Sequence, residues 1–142
     1  MNGELATYQV GLKLLLEKEG MVLLLRDRQT GHLDLPGGRI NADEYEISIT
    51  EALDREVREE LGNDIQYTLD KPLFQFRRFN VEKSSRVFIT VYGGEYISGD
   101  ILLSDEHSAF EWIYPAKKLF TFEDFGNQEE TSAMVSYFQN IV

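Results

Sequence analysis

The sequence contains no cysteine, which excludes disulfide bonds and thiolate metal sites. It is also short of basic residues, because 14 Lys and Arg stand against 25 Asp and Glu and give a net charge of −11. Such a chain lacks the basic face that a binder of nucleic-acid polymers or anionic membranes requires. The charge still permits a small phosphorylated partner wherever a bound metal ion supplies local positive charge.

Long apolar runs and low-complexity tracts are missing as well. The segment Leu12 to Leu16 is interrupted by Lys13 and is far too short to span a bilayer. Residues 1–7 have no basic start and no apolar core, so we expect no signal peptide. With 142 residues of ordinary globular composition, we expect one domain over residues 1–142. The absence of cysteine suits a cytoplasmic protein.

The clearest local pattern is an amphipathic helix from Ser48 to Gly62. Ser48 followed three residues later by Glu51 is a capping-box signature, and Gly62 is a favourable residue just past a last helical turn. A period of 3.6 residues predicts one inward apolar stripe along this helix, made of Ile49, Leu53, Val57 and Leu61.

Three carboxylates lie at or near this inward stripe. Glu56 and Glu60 form the neighbouring row, Glu59 flanks it, and Arg55 is predicted to face solvent. Ionised carboxylates near a buried face repel one another and lose water, and a hard divalent cation is the simplest compensation. The alternative is a solvated, glutamate-rich helix face. The position of the apolar stripe argues against that alternative.

The surrounding residues extend the pattern. Leu33 to Gly38 reads Leu-Asp-Leu-Pro-Gly-Gly, Glu44 follows, and residues 55–62 read Arg-Glu-Val-Arg-Glu-Glu-Leu-Gly. Together they resemble the box of the Nudix (MutT-like) hydrolases, Gly-x5-Glu-x7-Arg-Glu-U-x-Glu-Glu-x-Gly-U, where U is bulky and apolar. Two departures stand out: ten residues instead of seven separate Glu44 from Arg55, and Asn63 occupies the last apolar position.

The resemblance implies a set of roles for the box. Mg2+ or Mn2+ would be held by carboxylates, assisted by the carbonyl of Gly37 or Gly38. Arg55 would orient a glutamate, most simply Glu59 at i+4, while Glu44 and Gly62 would support the box. The metal-binding carboxylates would be Glu56, Glu59 and Glu60.

Residues outside the box complete the candidate site. The polar loop of residues 104–108 resembles the late acidic loop of the family, so the resemblance implies that the general base is either Glu56 or Glu106. The alternative for Glu106 is a solvated loop carboxylate. Arg39, just after the glycines, and Arg26 are candidate phosphate contacts. His107 is expected to be a loop hydrogen-bonder and His32 a turn residue. Four aromatic residues are candidates for base stacking, although such residues are more often core: Tyr8, Phe79, Tyr92 and Trp112.

The order of elements predicts an α/β fold. Strands are expected over residues 8–17, 21–27, 33–35, 64–69, 73–79, 86–96 and 109–113, with a closing helix over 129–141. Together with the resemblance, this predicts a Nudix-type mixed β-sheet sandwiched between α-helices.

The expected function is metal-dependent hydrolysis of a phosphoanhydride bond in a nucleoside diphosphate linked to another group. A small phosphorylated substrate and a homodimer are the expected partners, with no membrane and no nucleic-acid polymer. Three alternatives stay open: a Nudix-fold isomerase, a hydrolase of non-nucleotide pyrophosphates, and a non-catalytic ligand sensor.

Overall fold

A computed structural model describes residues 3–80 and 83–141. Its centre is a seven-stranded mixed sheet with the order β3-β2-β1-β6-β5, to which β4 is added beside β1 and β7 beside β2. Strands β1 and β6 run parallel, and the other pairs are antiparallel. The strands are β1 Gln9–Lys18, β2 Met21–Asp27, β3 Leu33–Asp34, β4 Gly37–Arg39, β5 Gln66–Asn80, β6 Ser85–Ser98 and β7 His107–Ile113.

Helices cover both faces of the sheet, which confirms the predicted α/β sandwich. One face packs against α1 through residues such as Leu53 and Val57, and the other packs against α2 and α3 through residues such as Phe125 and Met134. None of the helices in the described ranges is long and apolar enough to cross a membrane. The helices are α1 Ile49–Leu61, α2 Phe122–Phe125 and α3 Gln128–Ile141, with 3-10 turns at Ala42–Glu44 and Pro115–Lys117.

Helix α1 begins and ends where its sequence predicts. The Ser48 hydroxyl accepts a hydrogen bond from the Glu51 N–H at 3.1 Å, and Gly62 follows the last turn with a φ of 89°. The predicted inward position of Ile49 is wrong, because the buried face begins one turn later, at Ala52. Ile49 is 52% exposed.

Two predicted strands are one continuous strand, β5. The sequence predicts separate strands over residues 64–69 and 73–79, with residues 70–72 between them. In the structure β5 continues through Pro72, with irregular register against β6 on both sides of it. Since β5 is an edge strand, it tolerates a proline that a central strand would not. Strands β1 and β2 form an antiparallel hairpin.

The glycine pair that precedes α1 brings the backbone close to β1. Gly37 has a φ of 135°, and a Cβ atom there would lie 2.1 Å from the Leu12 carbonyl oxygen. Only glycine fits this conformation and this space. The short strand β4 can therefore lie between β1 and the acidic edge of α1.

Candidate active site

The three glutamates of α1 differ strongly in burial. Glu60 is 3% exposed, Glu56 is partly buried, and Glu59 is exposed. The Gly37 N–H donates a 2.7 Å hydrogen bond to Glu60 Oε1. Burial raises the pKa of Glu60 to about 8, although Lys13 and the Gly37 N–H act in the opposite direction. The acidic row therefore reaches the protein interior at Glu60. The positive charge around Glu60 is too small to offset the burial of an ionised carboxylate.

Arg55 joins the carboxylates of the box into one network. Its Nε and Nη2 atoms each donate to Glu44 at 2.6 Å, and Nη1 donates to Glu56 at 2.8 Å and to Glu59 at 3.1 Å. These hydrogen bonds lower the pKa of Glu44 and raise that of Arg55. The prediction that Arg55 faces solvent is wrong, because the Glu44 carboxylate draws the guanidinium along the helix surface.

The Glu44 contact forms despite the longer spacer. Glu44 ends the 3-10 turn Ala42–Glu44, and its Oε1 atom also accepts the Asn41 N–H at 2.8 Å. Residues 45–48 connect this turn to α1, and Glu44 contacts Arg55 across them.

The two glycines of the box contact different residues. The Gly37 carbonyl accepts a hydrogen bond from Lys13 Nζ at 3.2 Å. Gly38 lies against Glu56, and a Cβ atom at Gly38 would come 2.4 Å from Glu56 Oε2. At the other end of the box, the Gly62 N–H donates to the Arg58 carbonyl at 3.0 Å. A side chain at Gly38 would therefore displace the Glu56 carboxylate.

The late acidic loop reaches the same region. Glu106 is exposed, and its carboxylate lies with the Glu60 carboxylate and the His107 imidazole in one group, whose ligand atoms are all within 4.8 Å of one another. His107 differs from the expected loop residue: it is the first residue of β7, and its side chain is buried. Its Nδ1 atom lies 3.5 Å from Glu60 Oε2 without making a hydrogen bond. Burial lowers the pKa of His107.

A cavity of about 820 Å³ opens on the other face of β1. Gly38 lines this cavity and contacts Glu56 as well, so the cavity and the acidic edge of α1 meet at this residue. Phe79, which is 57% exposed, is the one predicted stacking residue in the lining. The side chains that line the cavity include four cations: Lys13, Arg39, Arg78 and Lys83.

The two predicted phosphate contacts have different surroundings. Arg39 is exposed, lines the cavity and donates to Gln9 Oε1 at 2.8 Å. Arg26 donates to the Gly31 carbonyl at 2.6 Å in the turn after β2 and is not among the residues that line the cavity. The structure thus brings Arg39 to the site and gives Arg26 a partner elsewhere.

A buried ionic network, which the sequence did not predict, lies at the floor of this cavity. Lys13 Nζ lies 3.1 Å from Asp34 Oδ2, and Arg78 Nη2 lies 3.0 Å from Asp34 Oδ1 and 2.7 Å from Glu130 Oε2. Burial alone would raise the pKa of Asp34, but Lys13 and Arg78 hold it well below its ordinary value. The sequence feature that indicates this network is Lys13, a single charged residue inside a leucine-rich strand.

Comparison with known proteins agrees with the fold. Residues 7–135 match the NUDIX domain family. A MutT protein from Methanosarcina mazei Go1 is 28% identical, with a TM-score of 0.70 over 94% of this chain and 91% of that one. A search of curated proteins finds no match.

Two more distant structures share the fold. A UDP-X diphosphatase has 18% identity and a TM-score of 0.70 over 99% of this chain and 67% of that one. An ADP-ribose pyrophosphatase from Streptococcus suis has 17% identity and a TM-score of 0.66 over 95% and 92%. The chain belongs to the Nudix family and is a Nudix-type pyrophosphohydrolase.

Proposed function

We propose that this single-domain enzyme hydrolyses a phosphoanhydride bond in a nucleoside diphosphate linked to another group. Water adds to one phosphorus atom, the P–O–P bridge breaks, and two phosphorylated products leave. The cavity that meets the acidic edge of α1 at Gly38 carries this proposal. Arg39 and Lys83, the two of its cations that lie outside the buried ionic network, suit phosphate oxygens, and the exposed ring of Phe79 suits a nucleobase.

The donor set fits a divalent cation. Glu60 is buried, its Oε1 atom is occupied by the Gly37 N–H, and its Oε2 atom makes no hydrogen bond to the nearby His107 Nδ1. Burial favours the neutral form of this carboxyl group, and a cation would restore its charged form. We propose Mg2+ or Mn2+, held by Glu60 together with Glu56, Glu59 and Glu106. When bound, the cation screens phosphate charge and polarises water.

The protein groups then have distinct tasks. Glu56 is the general base that we favour, because Arg55 fixes one of its oxygens while the other lies against Gly38, at the cavity wall. Its carboxylate accepts the proton of the attacking water as the new P–O bond forms. Arg39 contacts phosphate oxygens from the cavity rim, and Arg55 keeps Glu59 and Glu56 in position.

The names of similar structures support this substrate class. They include a UDP-X diphosphatase and an ADP-ribose pyrophosphatase, names that denote cleavage of a diphosphate bridge. Which nucleoside, and which second group, depends on the cavity residues of this chain. A cytoplasmic location and a homodimer remain predictions from the sequence.

The test is a panel of nucleoside triphosphates, ADP-ribose, nucleotide sugars and dinucleoside polyphosphates, assayed with Mg2+, with Mn2+ and with EDTA. We expect one class to be cleaved to a nucleoside monophosphate and a second phosphorylated product, and EDTA to abolish turnover. A melting temperature raised by Mg2+ or Mn2+ would support cation binding to the folded state.

The panel separates the alternatives when non-nucleotide pyrophosphates and an allylic diphosphate are added to it. Turnover of only non-nucleotide pyrophosphates, or isomerisation of an allylic diphosphate, would replace the nucleotide assignment. Tight binding of a nucleotide without any cleavage in the presence of either cation would contradict hydrolysis and favour a sensor.

A further inference from the structure

His107 has a buried nitrogen that nothing in the described chain satisfies. Its side chain is 3% exposed, and its Nδ1 atom has no hydrogen-bond partner. Within the described residues, only the Ser85 hydroxyl shares this state. Leaving a buried polar atom unpaired costs ~1–3 kcal/mol, so such atoms usually meet a partner in the functional state.

The unpaired nitrogen points to the acidic site. His107 Nδ1 lies 3.5 Å from Glu60 Oε2, and the Glu106 carboxylate belongs to the same group of potential ligand atoms. Donors that bind one cation at ~2.1 Å stand ~3–4.4 Å apart, and 3.5 Å falls within this range. The distance therefore suits two ligands of a shared ion.

The backbone holds this arrangement in place from two directions. Arg28 fixes the segment that carries the histidine: its N–H donates to the Glu106 carbonyl at 3.0 Å, and its side chain donates to the carbonyls of Asp105 and His107. On the other side, the Ser104 N–H donates to the Glu60 carbonyl at 3.2 Å, so the loop is tied to the end of α1. The imidazole is thus preorganised beside Glu60.

We propose that His107 Nδ1 is a nitrogen ligand of the divalent cation held by Glu60 and Glu106. This inference rests on the proposed metal site, whose implied ligands are otherwise all oxygen atoms. An imidazole donor changes the preferred ion, because Mg2+ takes oxygen ligands while Mn2+ and later first-row dications accept nitrogen. The site is therefore selective for Mn2+, or for a heavier ion of this series, over Mg2+.

Electron paramagnetic resonance on Mn2+-loaded protein tests this without substrate. The chain has only two histidines, His32 and His107. In wild-type protein we expect imidazole nitrogen coupling in the electron spin-echo envelope, with the coupling changed by 15N-histidine labelling. His32→Gln is the matched control and should keep the coupling. His107→Asn retains a polar atom near the Nδ1 position but removes the imidazole, and should lose it.

Calorimetry provides the second readout. We expect His107→Asn to weaken Mn2+ binding by ~10-fold or more, as for a lost ligand, while Mg2+ binding changes by less than ~3-fold. No Mn2+ binding to wild-type protein, or Mn2+ bound without histidine nitrogen coupling, would overturn the proposal. The second result would make His107 a hydrogen-bond donor to Glu60. If His107→Asn fails to fold, the wild-type and labelled spectra decide alone.

The outcomes separate this proposal from the proposed function. Hydrolysis of a nucleotide in Mg2+ together with absent nitrogen coupling removes the imidazole ligand and leaves the enzyme assignment intact. Nitrogen coupling without hydrolysis of any compound in the panel keeps the ligand and removes the assignment.

Discussion

Arg55 and Glu44 form a bidentate ion pair, in which Nε donates to Oε2 and Nη2 donates to Oε1, both at 2.6 Å. The pair forms although the spacer between the two residues is three residues longer than in the family pattern. The remaining Nη1 atom is thereby aimed at Glu56 and Glu59. Only a planar guanidinium, with its several N–H donors, can donate hydrogen bonds to three carboxylates in this way. Glu44 thus acts on the proposed metal-binding face through Arg55, without having to touch a proposed ligand itself.

Replacing Arg55 by lysine should lower activity with little effect on stability. An ammonium cannot hold Glu44 at two points and still reach both Glu56 and Glu59, so we expect kcat/KM to fall by ~10-fold or more. Arg58→Lys is the matched control, because Arg58 lies on the same helix but pairs with Asp54 and with backbone carbonyls. Equal losses in the two variants would argue against a special role for Arg55.

Glu60→Gln should separate catalysis from stability. We expect at least a ~100-fold loss of activity, as for a lost metal ligand. In EDTA the variant should be at least as stable as wild type, because the amide keeps the neutral state that burial favours and its oxygen can still accept the Gly37 N–H. Urea unfolding and steady-state kinetics measure the two effects. Wild-type turnover at saturating Mg2+ would remove Glu60 from the site, and a collapsed apo stability would make its role structural.

The stability of the metal-free protein should also depend on pH through Glu60. Its pKa is about 8 in the folded state against an ordinary 4.5, so the folded state binds this proton more tightly. The stabilisation is complete below about pH 4.5 and is lost as pH rises through about 8. Between about pH 6.5 and about pH 9 the free energy of unfolding should fall by about 2 kcal/mol more in wild type than in Glu60→Gln. Parallel pH profiles in EDTA would contradict the raised pKa.

Local sequence rules predicted what depends on local contacts. The start and end of α1 follow from Ser48, Glu51 and Gly62, all within one segment, and the structure confirms them. The predicted break between strands at residues 70–72 is wrong, because whether a strand continues through a proline such as Pro72 depends on its place at the sheet edge. That place is set by pairing with β6, which single residues do not reveal.

Local sequence rules could not predict the buried ionic network, because its contacts join residues that are far apart in the sequence. Lys13 meets Asp34 across 21 residues, and Asp34 meets Arg78 across 44. Each residue alone is ordinary; only the folded sheet brings the charges together. His107 is similar: as a sequence position it belonged to a polar loop, whereas pairing with Asp27 makes it the first residue of β7.

Lys13→Met should destabilise the protein strongly. Lys13 Nζ donates to Asp34 and to the carbonyls of Leu35 and Gly37, and the variant removes this donor from all three acceptors. Asp34 keeps Arg78 as an ion-pair partner, but Arg78 then faces both Asp34 and Glu130 without a second cation. We expect a loss of ~3–5 kcal/mol, measured by urea unfolding, as for a broken buried ion pair.

Two further variants complete that test. Lys18→Met is the matched control, because Lys18 lies on the same strand and its ammonium is 5.0 Å from the centroid of the Tyr96 ring. This variant should lower the free energy of unfolding by less than about 1 kcal/mol. Adding Asp34→Asn to Lys13→Met should recover part of the loss, because the double variant removes the uncompensated charge. Purely additive losses would show that the two residues are not coupled.

Glu106→Gln decides between the two candidate bases. Because Glu106 lies with Glu60 and His107 in one group of potential ligands, we expect the response of a metal ligand: a raised Mg2+ concentration at half-activity, and recovery of much of the rate when Mg2+ is added. A general base would respond differently, with kcat lowered by ~100-fold or more at every Mg2+ concentration and a flattened acidic limb of the pH–rate profile. That second response would move the base assignment from Glu56 to Glu106. Rates, metal requirement and pH profile all within about twofold of wild type would make Glu106 a solvated loop residue and leave Glu56 as the base.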